Sequence, residues 1–149
     1  MKVKAKYVYK QVNELWPNLD NRDEIIPWDR EYWLMSQETV GRIMELSNVP
    51  EMTFIPDFND CDDFALHAQS ETRRKRYLAW MEGKLSIVQR YPVAVAIAWG
   101  SMWRGMSKNH VANLFVCKEG IYLADFTPME RRYWKAEPDN DHMLKVDFR

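Results

Sequence analysis

Cysteine is nearly missing from this 149-residue chain: it occurs twice, at Cys61 and Cys117, and neither belongs to a CxxC pair. Two isolated thiols exclude a disulfide scaffold. With only three histidines beside them, they also fall short of the clustered N and S ligands that a zinc site takes. Glycine is scarce, at five residues, and the chain has no Gly-rich phosphate loop, no GxSxG and no Gly/Ser linker. Charge of one sign is lacking too: 21 basic against 22 acidic residues leave a net charge of −1. That balance argues against nucleic acid as the main partner, because phosphate contacts demand a basic excess. Long apolar runs are missing. The longest, Val93 to Trp99, suits a buried strand and falls well below the roughly 18 residues of a membrane span. The start, Met1-Lys2-Val3-Lys4-Ala5-Lys6, has the charges of a signal peptide but no apolar core behind them.

What is present describes a globular chain. Hydrophobic residues make up 46% and charged residues 29%, enough for a real core in a chain of this length. Seven Trp, seven Tyr and six Phe are spread along the whole length, which predicts a single core. There is no internal repeat and no low-complexity tract. The basic run Arg73-Arg74-Lys75-Arg76 is offset by Asp57, Asp60, Asp62 and Asp63 and reads as a solvated helix face.

The first fifty residues read as irregular to helical. Ser36 is placed to cap a helix over Gln37 to Leu46, with Val40, Ile43, Met44 and Leu46 on its apolar face. A second helix, capped by Asn59 or Asp60, continues to Trp80 and Met81 and ends at Gly83. Positions 61, 64, 65, 68 and 72 share one stripe of it. The period then changes to that of strands: Val93 to Trp99, His110 to Cys117, and Ile121 to Phe126. Lys118-Glu119-Gly120 connects the last two as a hairpin. Tyr133-Trp134 and Leu144 to Phe148 are shorter strand candidates. Between them, Trp99 to Gly105 reads as an aromatic loop beside His110, and Asp139-Asn140-Asp141-His142 as a surface loop. The expected class is α+β, with N-terminal helices packed on an antiparallel sheet.

Cys117 sits in the apolar run Asn113 to Cys117 and reads as a buried structural thiol. Cys61 is surrounded by charge instead. It falls in the first turn of the strongest helix, where partial positive charge and free N–H groups favour a thiolate. His110 opens one strand and Asp125 closes the next, so the three are placed as nucleophile, base and orienter. The competing readings are a small residue at a helix start, a sheet-edge histidine and a turn-side carboxylate near Thr127. His67, six residues past Cys61, points elsewhere.

The segments Asn59 to Ala65, Asn109 to Asn113 and Tyr122 to Asp125 resemble the papain-like and transglutaminase-like cysteine enzymes, in which Cys, His and Asp or Asn occur in this order. Asp60-Cys61-Asp62-Asp63-Phe64 is most similar to the calcium-dependent cysteine-protease domain at the C-terminus of certain fungal agglutinins, and to small bacterial and phage proteins. The likeness covers about half of the chain. It implies one cysteine-protease-like domain over 1–149, located in the cytoplasm or with a virion. A papain-like enzyme carries a Gln oxyanion donor shortly before the nucleophile, whereas this chain offers Ile55 or Pro56. The backbone N–H of Cys61, helped by Asn59 or a Trp indole, is the substitute.

Asp60, Asp62 and Asp63 oppose a thiolate at Cys61. A divalent cation would remove that conflict, and the hard oxygens of Asp57, Asn59, Asp62 and Asp63 suit calcium. The expected function is thiol-dependent acyl transfer, as a peptidase or amidase acting on a peptide or protein. Two alternatives stand beside it: a peptidoglycan amidopeptidase acting on cell-wall peptides, and a non-catalytic binding or structural module of a phage or mobile element.

Overall fold

The computed structural model describes residues 1–19, 25–26, 29–55 and 60–148. In chain order the elements are β1 (Lys2–Lys4), α1 (Ala5–Leu15), β2 (Ile25–Ile26), β3 (Glu31–Trp33), α2 (Gln37–Leu46), α3 (Cys61–Met81), β4 (Val95–Trp103), β5 (Met106–Cys117), β6 (Gly120–Asp125), β7 (Arg132–Lys135) and β8 (His142–Asp147). No described helix is long and apolar enough to cross a membrane.

Capping chemistry sets the helix starts. Ser36 Oγ accepts the Thr39 backbone N–H at 3.4 Å and opens α2. Asp60 does the same for α3 in a capping box: its carboxylate accepts from Asp62 N, and Asp63 Oδ2 accepts the Asp60 N–H at 3.3 Å. Both interactions satisfy first-turn donors that have no intrahelical partner. Helix α3 passes Trp80 and stops ahead of Gly83, whose φ is +70°.

A six-stranded sheet dominates the molecule, in the order β2-β8-β4-β5-β6-β7. The five strands from β8 to β7 pair antiparallel, while β2 adds to β8 in parallel. Strands β1 and β3 form a separate antiparallel ribbon. The expected class, N-terminal helices on an antiparallel sheet, is therefore corrected: the sheet is mixed and strands are interleaved with the helices. Two-residue β2 carries no periodicity that a sequence could display.

The sheet separates two apolar clusters. One gathers Val8, Val12 and Trp16 of the α1 region against Leu114, Val116, Leu123 and Val146. The other gathers Val40 and Met44 of α2 and Phe64 and Ala68 of α3 against Val95, Phe115 and Phe126. Phe64 is 1% exposed, and burying such a ring contributes about 1.5–3 kcal/mol. The Trp99–Gly105 loop is also corrected. Strand β4 runs on through a bulge between Gly100 and Met102 and turns at Arg104 and Gly105. At Gly100 a Cβ would lie 2.6 Å from the Trp103 ring and 2.8 Å from the His142 carbonyl oxygen. Only glycine lets that ring fold back against the strand.

Candidate functional site

Cys61 is the first residue of α3, His110 lies on β5 and Asp125 ends β6. Packing α3 on the sheet brings the three together. His110 Nε2 is bonded to Asp125 Oδ2, and the imidazole is also hydrogen-bonded to the Cys61 side chain. The other carboxylate oxygen of Asp125 accepts the Thr127 backbone N–H at 2.9 Å and the Thr127 hydroxyl at 2.7 Å. Both of its oxygens are thereby fixed, and with them the plane of the imidazole.

The electrostatics follow from this wiring. Burial alone would lower the imidazole pKa, but hydrogen bonds to Asp125 and Cys61 and the charge of both outweigh it, raising His110 to about 9. Burial works in the opposite sense on Asp125, and its bonds to His110 and Thr127 hold the carboxyl below the ordinary range. At neutral pH the pair is imidazolium and carboxylate. Cys61 itself is half-buried, while Cys117 is buried, and burial pushes the Cys117 thiol up to about 12. One thiol is open to an electrophile and the other is inert.

Trp103 closes one side. It is 2% exposed and meets His110 edge-on at 6.2 Å between ring centres, with Trp134 behind it at 6.3 Å. Its indole N–H is buried without a partner among the described residues. Ile55 is exposed, and Pro56 and Asn59, expected near the oxyanion position, lie outside the described residues. So do Asp57 and Asn59 of the calcium set. Of the rest, Asp63 is engaged in the capping box. The ligand atoms of Asp60, Cys61 and Asp62 all lie within 4.8 Å of one another. The Asp60 carboxyl, hydrogen-bonded to Asp62, raises the pKa of Asp62, helped by burial and like charge.

The sequence reading missed several buried polar residues. Asn113, 0% exposed, donates from Nδ2 to the Ala65 carbonyl of α3 at 2.8 Å. Gln69 donates to the Val95 carbonyl at 3.2 Å. Asp141, expected on a surface loop, is 1% exposed and accepts from Arg104 N, Trp134 Nε1 and Glu137 N. It anchors the hairpin that supports Trp103. His142, placed in the same loop, instead begins β8. Position 69 falls outside the stripe of 61, 64, 65, 68 and 72 read from the sequence, so nothing there marked Gln69 as buried.

No family model and no curated protein matches the sequence. Among solved structures, the chain is similar to the PSL1a–E64 complex, with a TM-score of 0.71 at 17% identity, covering 97% of this chain and 50% of that one. It is similar also to the Polyporus squamosus lectin bound to the human-type influenza-binding epitope Neu5Acα2-6Galβ1-4GlcNAc, with a TM-score of 0.69 at 17% identity, covering 97% of this chain and 49% of that one. These matches overturn the papain-like and transglutaminase-like assignment and the protease and hydrolase description that came with it. The ligand named with the second of them is a sialylated glycan rather than a peptide. Short Cys, His and Asp motifs misassign a fold because the same constellation arises on unrelated scaffolds. The chain spans about half the length of the lectin chains it matches, and at this identity the likeness establishes a shared fold.

Proposed function

We propose that Cys61 is a nucleophilic thiol that performs acyl transfer, with His110 moving the proton and Asp125 holding His110. The observation that supports this reading is the hydrogen-bonded series from a half-buried thiol through an imidazole to a buried carboxylate. The thiolate attacks a carbonyl carbon and forms a C–S bond, and the departing group takes its proton from His110. An acceptor then attacks the thioester, gives its proton to His110 and releases the acyl group. The test is p-nitrophenyl acetate, an activated ester that asks for no specific pocket. A burst of p-nitrophenol with the acetyl group mapped to Cys61, abolished in Cys61→Ser and in His110→Ala, is the expected result. Acetylation of Cys61 no faster than in the denatured chain would overturn the reading.

A second reading has its own support. The lectin neighbours, one of them carrying a sialylated glycan, favour a non-catalytic carbohydrate-binding module. Titration with Neu5Acα2-6Galβ1-4GlcNAc separates the two: binding retained by Cys61→Ser, in a protein that acquires no acetyl group, selects the binding module.

Calcium forms a separate part of the proposal. Of the expected set Asp57, Asn59, Asp62 and Asp63, Asp62 would contribute a carboxylate oxygen, where an ion would offset the Asp60 hydrogen bond and like charge that raise its pKa. Calorimetry at millimolar calcium is expected to show heat that disappears in Asp62→Asn, and its absence in the unaltered protein would end the idea.

A further inference from the structure

Cys61 and His110 stand on different elements, so their separation depends on how the first turns of α3 are seated on the sheet. Ala65 lies one turn after Cys61. Its carbonyl accepts Nδ2 of Asn113 at 2.8 Å, and the same amide nitrogen lies 3.4 Å from the Ala96 carbonyl on β4. One side chain therefore clasps α3, β5 and β4 at a single point. The two carbonyls also fix which end of the amide carries nitrogen. Its oxygen is then left buried without a partner among the described residues, and a buried orphan of that kind is destabilising. An apolar side chain on β5 would fill this place at lower cost if packing were its only task.

We infer that Asn113 is a positioning residue for the thiol site: it sets the seat of the α3 N-terminus on the sheet and thereby the Cys61–His110 contact. The inference rests on the proposed thiol reading. Gln69 supplies the natural comparison. It too is a buried amide that ties α3 to the sheet, through the Val95 carbonyl at 3.2 Å and the Asp147 carbonyl at 3.4 Å. It sits one turn further along the helix, past the reach of the site.

The experiment compares Asn113→Leu, of similar size but without a donor, with Gln69→Leu. Thermal denaturation, acetylation of Cys61 by p-nitrophenyl acetate and the NMR resonance of the His110 ring are read on each. In Asn113→Leu the acetylation rate is expected to fall about ten- to a hundredfold, the scale on which displacement of a reacting group acts. The His110 resonance should move towards its position in Cys61→Ala. Gln69→Leu should keep both near the starting values whatever its melting temperature. If Asn113→Leu does not fold, Asn113→Thr, which keeps a shorter donor, takes its place with the same readouts. Unchanged acetylation and resonance in the Asn113 variant, or equal changes in the Gln69 variant, overturn the inference alone. No acetylation in the unaltered protein overturns the thiol reading and this inference with it.

Discussion

Asp125 divides its two oxygens between Thr127 and His110, and this division makes the pair a source of stability. The folded pKa of His110 is raised from 6.5 to about 9. Its contribution is complete below the unfolded value and is lost as pH rises through about 9. The folded pKa of Asp125 is depressed from 3.8, so its contribution is present above that value and is lost as pH falls through the lower one. Stability should therefore form a plateau between about pH 4 and 6.5 and decline towards about pH 9. Denaturant melts across this range are expected to show the decline in the unaltered protein and a flatter profile in Asp125→Asn. Equal slopes in both would mean that the pair does not couple to folding.

Among the elements, α3 is held at its N-terminal half, by the capping box and by the buried stripe of Phe64, Ala65 and Ala68. Its exposed C-terminal half carries Tyr77, Leu78, Trp80 and Met81 in water, so packing anchors chiefly the half that begins at Cys61. Removing the cap by Asp60→Ala is expected to cost about 1 kcal/mol, read as a lower urea midpoint with an unchanged slope. A slope that falls instead would indicate that the helix start frays in the native state. The caps also explain which elements the sequence displayed. Ser36 and Asp60 announce α2 and α3, and Gly120, with φ +127°, marks the turn between β5 and β6. Helix α1 starts at Ala5, after Lys4, which gives it no side-chain cap, and nothing in its sequence announces a boundary. Gln69, Asn113 and Asp141 were invisible for another reason. Polar residues in a sequence read as surface, and only tertiary packing shows that backbone donors and acceptors wait for them.

On the scale of the whole molecule, the thiol site is built from the start of α3 and from the strands His110 and Asp125 occupy, with α1 and α2 on opposite faces of the sheet supplying the two clusters that hold it rigid. That Cys61, His110 and Asp125 would stand near one another was legible from a helix start and two neighbouring strands, while their role in thiol chemistry is what we propose. The family attached to them was not legible, since the motifs are local and the match to the lectin structures extends over 97% of the chain. The measurement that tests the account most directly is the rate of Cys61 alkylation by iodoacetamide as a function of pH, in the unaltered protein and in His110→Ala, with Cys117 as internal reference. The account requires rapid labelling of Cys61 well below the usual thiol pKa of about 8.5, lost in His110→Ala, while Cys117 stays unlabelled. Labelling of Cys61 that rises only near that pKa, alike in both proteins, would contradict it.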